Sequence, residues 1–382
     1  MNSFSFTIPQ NIVVGAGSLK RLPELAKNLK KSKAYIISGP HLEKIGMVDK
    51  CREALKAAGI ESDSFTQTEG NPSTDTVAKA AEGFKSSNAD FIVAFGGGSP
   101  LDVAKAVAVI ASYGGNITDY EGGGKVPGPV VPMIAIPTTA GTGSEVTAFS
   151  VITDHSRNYK LTVVSNYLLP AYAILDPELI TTVPKSTAAA CGIDAMVHAL
   201  EAFISKAASP FSDLFAKEAL RLIGTSIRDY VLDRSNLAAC EAMLTGSLFA
   251  GIAFSHARLG DVHAMSHPVS AYFDVAHGVA NAVLLPTIVD YNMTYASEKY
   301  KYIYDCICEK PLSDDAFTPE MLAAEIRVLN DELGIPSSLS EVGVDSSLFD
   351  KMADDAMKSG NILVNPRPTT KKDILALYAQ AF

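Results

Sequence analysis

Apolar and polar positions fall into two textures along the chain. Up to about residue 180, short apolar runs end in glycine or polar turns and give way to stretches with helical spacing. AYIISG (34–39), DFIVAFGGGS (90–99) and VVPMIAIPTT (130–139) read as buried strands. A helical stretch ending near Gly59 follows the first, and LDVAKAVAVIAS (101–112) follows the second. Strand, turn and helix in repetition predict a parallel sheet covered by helices. After Pro184 the pattern changes. STAAACGIDAMVHALEAFIS, PFSDLFAKEALRLIGTSIRDYV and CEAMLTGSLFAGIAF all carry apolar residues at helical spacing, with no convincing strand among them. The reading is an α/β domain over 1–183 followed by an all-helical domain over 184–382. The boundary falls in DPELITTVPKS, which holds Pro177 and Pro184.

Composition narrows the function classes. A chain of 382 residues that is 47% hydrophobic has material for a large core. Its net charge of −10 argues against nucleic acid and anionic membrane as partners. No run of 18 or more apolar residues appears, and the opening MNSFSFTIPQ has neither a basic nor an apolar leader region. Five scattered cysteines, odd in number and without a CxxC pair, fit reduced thiols in a cytoplasm.

Two loops invite a phosphate-bearing ligand. FGGGSPLDVAKA (95–106) sets Gly96, Gly97, Gly98 and Ser99 between an apolar strand and a helix expected to start near Pro100. Glycine lets an anion approach bare N–H groups, and a helix start presents partial positive charge to it. Ser99 is placed to cap that helix or to donate to a phosphate oxygen. A purely structural turn fits the same residues. A Walker loop is excluded because no GK[ST] follows, and the spacing is not GxGxxG. PTTAGTGSEVT (137–147) follows the next strand and offers Thr138, Thr139, Thr142, Thr147 and Ser144. Two such loops at neighbouring strand ends suit a dinucleotide.

Histidines gather in the second half. Asp194 and His198 stand at i, i+4 in GIDAMVHALEAF, and His263 and His267 repeat that spacing in DVHAMSHPVSAYFDVAHG, where His277 follows. On a helix, i and i+4 share a face. Three imidazoles and a carboxylate suit a first-row metal with an open position, whereas each pair alone fits a local hydrogen bond equally well. The HxxxH pair is not a zinc-peptidase helix, because Ala264 stands where HExxH needs its glutamate.

Taken together, GNPS (70–73), GGGSPLDVAK (96–105), PTTAGTGSE (137–145), LDPELITTVP (175–184), GIDAMVHALEAF (192–203), VHAMSHP (262–268), AHGVANAVLLP (276–286) and NPR (365–367) resemble the iron-containing (group III) alcohol dehydrogenase family, from about residue 4 to Arg367. The resemblance implies a dehydroquinate synthase-like architecture, with an α/β dinucleotide-binding domain before an all-α one. It implies one divalent ion, Fe2+ or Zn2+, on Asp194, His198, His263 and His277, with His267 beside the nicotinamide as a catalytic or positioning residue. It implies NAD(H) or NADP(H) on Gly96, Gly97, Gly98, Ser99 and Asp102, and on Asn71, Thr138, Thr139, Thr142, Ser144, Lys160 and Leu179. The expected reaction is hydride exchange between the nicotinamide and a small alcohol or aldehyde, with the metal as Lewis acid. Members are commonly dimers or larger, and SFSFTI (3–8) is a candidate edge strand between subunits.

Two departures bear on specificity. Many members carry an aspartate after the second strand that binds ribose hydroxyls and repels a 2′-phosphate; here the strand runs IISGPH with Gly39 at that place, so NADPH is permitted but not demanded. Where members often read NAGLGLVHAMAHP, this chain reads SHARLGDVHAMSHP (255–268). On one continuous helix His256 would share a face with His263. Arg258 suits an anionic tail such as sulfonate, phosphonate or carboxylate, or else a surface pair with Asp261. Phe149, Phe254, Leu259 and the 361–362 region complete a pocket for a small substrate by family position. Sulfoacetaldehyde, giving isethionate, is the first candidate, with a general short-chain alcohol or diol dehydrogenase of the propanediol/lactaldehyde type as the alternative. A dehydroquinate-synthase-like lyase would need more basic residues, and a non-catalytic nucleotide-binding subunit predicts a broken metal set.

Overall fold

The computed structural model describes Phe6, Ile8 and residues 11–382, so the proposed edge strand lies mostly outside the described residues. The chain divides into two compact units. One spans Ile8–Thr139 and Gly143–Thr181; the other holds Thr182–Phe382 with Ala140–Thr142 and the start of the chain.

The first unit is a parallel sheet of β1 (Asn11–Val14), β2 (Lys33–Ile37), β3 (Glu61–Phe65), β4 (Phe91–Gly96), β6 (Met133–Pro137) and β9 (Tyr172–Leu175), in the order β1-β9-β6-β4-β2-β3. Its helices are α1 (Leu22–Asn28), α2 (Pro40–Lys44), α3 (Met47–Ala57), α4 (Thr74–Ser87) and α5 (Gly98–Tyr113). Strand alternation builds two cores. Tyr35, Ile37, Ile92 and Ala94 pack with α4 and α5, whereas Ala34, Ile36, Phe91, Val93 and Phe95 pack with residues of α1 and α3. Helices on both faces explain why β4 reads as an unbroken apolar run.

A second sheet was not expected. β7 (Phe149–Asp154) and β8 (Tyr159–Val164) form an antiparallel hairpin, and β5 (Gly122–Gly123) joins β8. The turn is made by Asn158 at φ 48°, a left-handed conformation that asparagine tolerates. The helix after the glycine loop also starts earlier than expected. Gly97 is the N-cap and Ser99 lies inside α5, so Ser99 is not its cap.

Among the described residues of the second unit, all regular elements are helices: α6 (Lys185–Ile204), α7 (Pro210–Leu232), α8 (Leu237–Ala257), α9 (Asp261–Phe273), α10 (His277–Ile307), α11 (Glu320–Leu333), α12 (Phe349–Ala356) and α13 (Lys371–Gln380), with short 3₁₀ turns. α6 is buried at every position from Gly192 to Ile204. By length and composition alone α6 and α8 would span a membrane, but their apolar windows are 89% and 67% buried here, as in core helices. The segment 255–268 is not one helix. α8 stops at Ala257, Arg258 turns the chain at φ 62° and ψ −177°, and α9 begins at Asp261. His256 therefore does not share a helical face with His263; its ring lies 4.2 Å from that of Phe6.

Candidate functional site

Three helices of the second unit supply the candidate ligands. α6 presents Asp194 and His198 one turn apart, α9 presents His263, and α10 opens with His277. Asp194 Oδ1 is the common point, 3.8 Å from His198 Nε2, 3.7 Å from His263 Nε2 and 3.8 Å from His277 Nε2. Asp194, His263 and His277 each offer an atom within 4.8 Å of the other two. His198 joins through Asp194 and through its ring, stacked 4.6 Å from that of His263. His267, one turn beyond His263, has its ring centroid 5.3 Å from that of His277 and 6.2 Å from that of His263. α10 starts hard against α6, for a Cβ on Gly278 would collide with the Ala190 carbonyl.

Neighbours aim these rings. Glu201 accepts from His263 Nδ1 at 2.6 Å and from Val262 N at 2.7 Å, which turns His263 Nε2 toward Asp194. His198 Nδ1 lies 3.3 Å from the Gly141 carbonyl. Asn281, one turn after His277, brings its Nδ2 to 2.7 Å from Asp194 Oδ1, 3.1 Å from His263 Nε2 and 3.2 Å from His277 Nε2. Sequence reasoning passed over Glu201 and Asn281, although Glu201 lies three residues past His198 on the same apolar helix.

The electrostatics suit a cation. Burial pushes the Asp194 carboxyl up, but the three histidines outweigh it and hold it far below the usual carboxylate range. Burial takes the His198 ring down to about 4 against the pull of Asp194. Burial also opposes a proton on His263, yet Glu201 and Asp194 prevail and bring it up to about 9. A carboxylate held in its ionised form and convergent Nε2 atoms face one point, where the electropositive NH2 of Asn281 approaches and, among the described residues, the buried Asn281 Oδ1 finds no partner. This donor set fits a divalent first-row metal.

In the α/β unit the two glycine-containing loops interlock. Thr138 N donates to the Gly96 carbonyl at 2.9 Å, and a Cβ on Gly97 would sit 3.1 Å from Thr139 Oγ1. Gly96 adopts φ 156° over Pro100 of α5, where a side chain would strike the proline ring. Gly98 and Ser99 form the first turn of α5. Asp102 takes Ser144 Oγ at 2.7 Å and Val151 N at 3.1 Å. Lys160 on β8 donates to Asn71 Oδ1 at 2.8 Å, and Asn71 itself turns at φ 48°. Leu179 is buried in the core, and Thr142 falls in the 140–142 segment grouped with the helical unit.

Of the pocket candidates, Phe149 opens β7 in the α/β unit, and Phe254, Arg258 and Leu259 sit together at the end of α8. Phe254 stacks on His198, ring centroids 4.5 Å apart. Arg258 N donates to the Phe254 carbonyl at 2.7 Å, so the arginine stands one turn from the residue that covers a candidate ligand. Its guanidinium lies over Gly360, where a Cβ would run into Nη2. The Arg258–Asp261 surface pair is not formed. Asp261 is fully buried and accepts from Thr369 Oγ1 at 2.6 Å, and among the described residues no carboxylate pairs with Arg258.

Comparison with known proteins fits this geometry. Residues 9–177 match the family described as "Iron-containing alcohol dehydrogenase", and residues 188–382 match "Fe-containing alcohol dehydrogenase family, C-terminal". The chain belongs to the iron-containing alcohol dehydrogenase family. As a member it is an oxidoreductase acting on CH–OH groups, with NAD(H) or NADP(H) and a divalent metal. It is 39% identical to a 1,3-propanediol dehydrogenase of Citrobacter freundii over 386 residues, covering 99% of each chain. It is 37% identical to a sulfoacetaldehyde reductase of Bilophila wadsworthia over 378 residues, covering 98% of this chain and 97% of the other. A crystal structure of 1,3-propanediol oxidoreductase, 38% identical, superposes with a TM-score of 0.95 over the whole of both chains.

Proposed function

We propose that this iron-type alcohol dehydrogenase works chiefly as a reductase of small aldehydes bearing an anionic tail, with sulfoacetaldehyde first. Arg258 carries the reading: an arginine with no carboxylate partner among the described residues, held in a costly backbone conformation one turn past the residue that covers His198. At φ 62° and ψ −177° only glycine is at ease, and a side chain costs about 1–3 kcal/mol. A guanidinium forks onto sulfonate, phosphonate or carboxylate oxygens, where a neutral tail leaves it unpaired. The 37% relative named for sulfoacetaldehyde supports an anionic tail. The 39% relative named for 1,3-propanediol supports a second reading, a general short-chain alcohol or diol dehydrogenase.

In this reading Asp194, His198, His263 and His277 hold the metal, and Glu201 and Gly141 fix the two imidazoles they touch. When bound, the metal supplies Lewis acidity to the substrate oxygen and the nicotinamide supplies or takes the hydride. Gly96, Gly97, Gly98 and Ser99, with Asp102 following, receive the pyrophosphate at the start of α5, and Asn71, Thr138, Thr139, Thr142, Ser144, Lys160 and Leu179 receive the rest of the nucleotide. His267 passes the proton that joins or leaves the substrate oxygen. Phe149, Phe254 and Leu259 bound the apolar part of the pocket. The two domains divide at residue 183, and the enzyme is a cytoplasmic homodimer or larger assembly.

A reductase panel on metal-replete enzyme tests the proposal. It pairs NADH and NADPH with propanal, glycolaldehyde and lactaldehyde on one side and sulfoacetaldehyde, phosphonoacetaldehyde and succinic semialdehyde on the other. The expected result is kcat/KM about a hundredfold higher for an anionic aldehyde, or about 2.7 kcal/mol of transition-state binding. Parity, or preference for neutral aldehydes, replaces the proposal with the short-chain reading.

A further inference from the structure

Lys105 is fully buried on α5, two turns into the helix that follows the glycine loop. An ammonium has three N–H donors. All three are spent on one stretch of chain: Ser144 Oγ at 2.9 Å, Thr147 Oγ1 at 3.1 Å and the Phe149 carbonyl at 2.8 Å. Ser144 Oγ in turn donates a hydrogen bond to Asp102 Oδ1 at 2.7 Å, one turn earlier on α5, and Ser150 Oγ donates to the Asp102 carbonyl at 2.8 Å. Lys105 and Asp102 together clamp residues 144–151 to α5. The clamped segment continues the loop that carries Thr138, Thr139 and Thr142, and α5 is the helix whose first turn holds Gly98 and Ser99.

A buried cation is costly unless its hydrogen bonds are complete. Burial pulls the Lys105 ammonium down to about 8, with Asp102 and Glu145 opposing. A methionine or leucine would fill the same space at less cost, so packing alone does not account for the charge. We infer that Lys105 is a positioning residue for the cofactor, which holds the loop after β6 in register with the glycine loop after β4 so that both meet one dinucleotide. This rests on the nucleotide-binding reading of the α/β unit.

The test is equilibrium binding of NADH and NADPH to metal-loaded enzyme, with steady-state kinetics at saturating nucleotide, for the parent, Lys105→Met and Thr147→Val. Methionine keeps the length and removes the donors; valine keeps the shape at 147 and removes one acceptor. The expected result is a Kd for nucleotide raised at least about tenfold in Lys105→Met and less in Thr147→Val, with kcat within about threefold of the parent and metal content unchanged. A merely structural lysine would lower the melting temperature and leave Kd alone, and that outcome overturns the inference. Should Lys105→Met fail to fold, an unchanged Kd in Thr147→Val overturns it equally. A parent that binds neither nucleotide sinks the underlying reading, whereas a parent that binds and variants that match it sink Lys105 alone.

Discussion

The two units bury basic side chains in opposite ways. In the α/β unit, Lys105 is surrounded by hydroxyls and a carbonyl, with carboxylates near but not in contact, and burial takes it down to about 8. In the helical unit, His263 is just as buried but lies between Glu201 and Asp194, and its ring rises to about 9. Burial disfavours charge in both places, and what decides the outcome is whether an anion is in direct contact. The α/β unit uses neutral dipoles to fix the shape of its loops. The helical unit sets one carboxylate, Asp194, among converging Nε2 atoms and backs His263 with Glu201 from its other nitrogen, an arrangement that suits a doubly charged ion.

The sharpest way to break this contrast is to remove a candidate ligand. His263→Ala should abolish metal binding and turnover together; metal analysis beside activity checks it, and retained metal with normal turnover would sink the ligand assignment. A pH experiment in the other unit comes next. Glu145 is 2% exposed, and burial lifts its carboxyl from 4.5 to about 7. Its proton is held more tightly in the folded chain than in the unfolded one. That stabilisation is complete below about pH 4.5 and is lost as the pH rises through about 7. Glu145→Gln removes the ionisable group, so relative to the parent it should gain up to about 3 kcal/mol between pH 4.5 and pH 8. Denaturant melts at the two pH values measure this, and a pH-independent difference would show that Glu145 is not held protonated.

Smaller effects sharpen the picture. Glu201→Gln keeps the shape but removes the charge beside His263, and should weaken metal affinity about ten- to a hundredfold in a chelator competition. An unchanged affinity would mean that the carboxylate only caps Val262. Arg258→Gly should raise the stability of the folded chain by about 1 kcal/mol while losing preference for anionic aldehydes. Destabilisation instead would show that the guanidinium supports the 360 turn rather than a substrate.

Legibility followed the range of the interactions. β4, the glycine turn and α5 could be read because an apolar run and its stop signal are local, and the Asp194–His198 pair because i, i+4 is a local spacing. The β7–β8 hairpin escaped because its turn is made by Asn158 without a glycine, between strands of mixed pattern. The break at Arg258 escaped because the glycine of SHARLGDV, Gly260, stands two residues past it as the cap of α9, while the left-handed position itself is taken by an arginine. Glu201 and Lys105 escaped for another reason. Their partners lie 62 and about 40 residues away, so nothing in their own neighbourhoods announces a buried charge.

The bare contact at Gly278 also limits how such an enzyme can diversify. α6 carries two candidate ligands and α10 a third, and at Gly278 they meet with the bare backbone of α10 against the Ala190 backbone of α6, leaving no side chain on 278 to trim. Every substitution at 278 is an enlargement, so drift there can only push the helices apart and never bring them closer. A lineage, or an engineer, is free to redraw the proposed pocket at Phe254, Arg258 and Leu259 for new substrates. The gauge between the two helices stays as it is, and new chemistries must be found around a centre of inherited width.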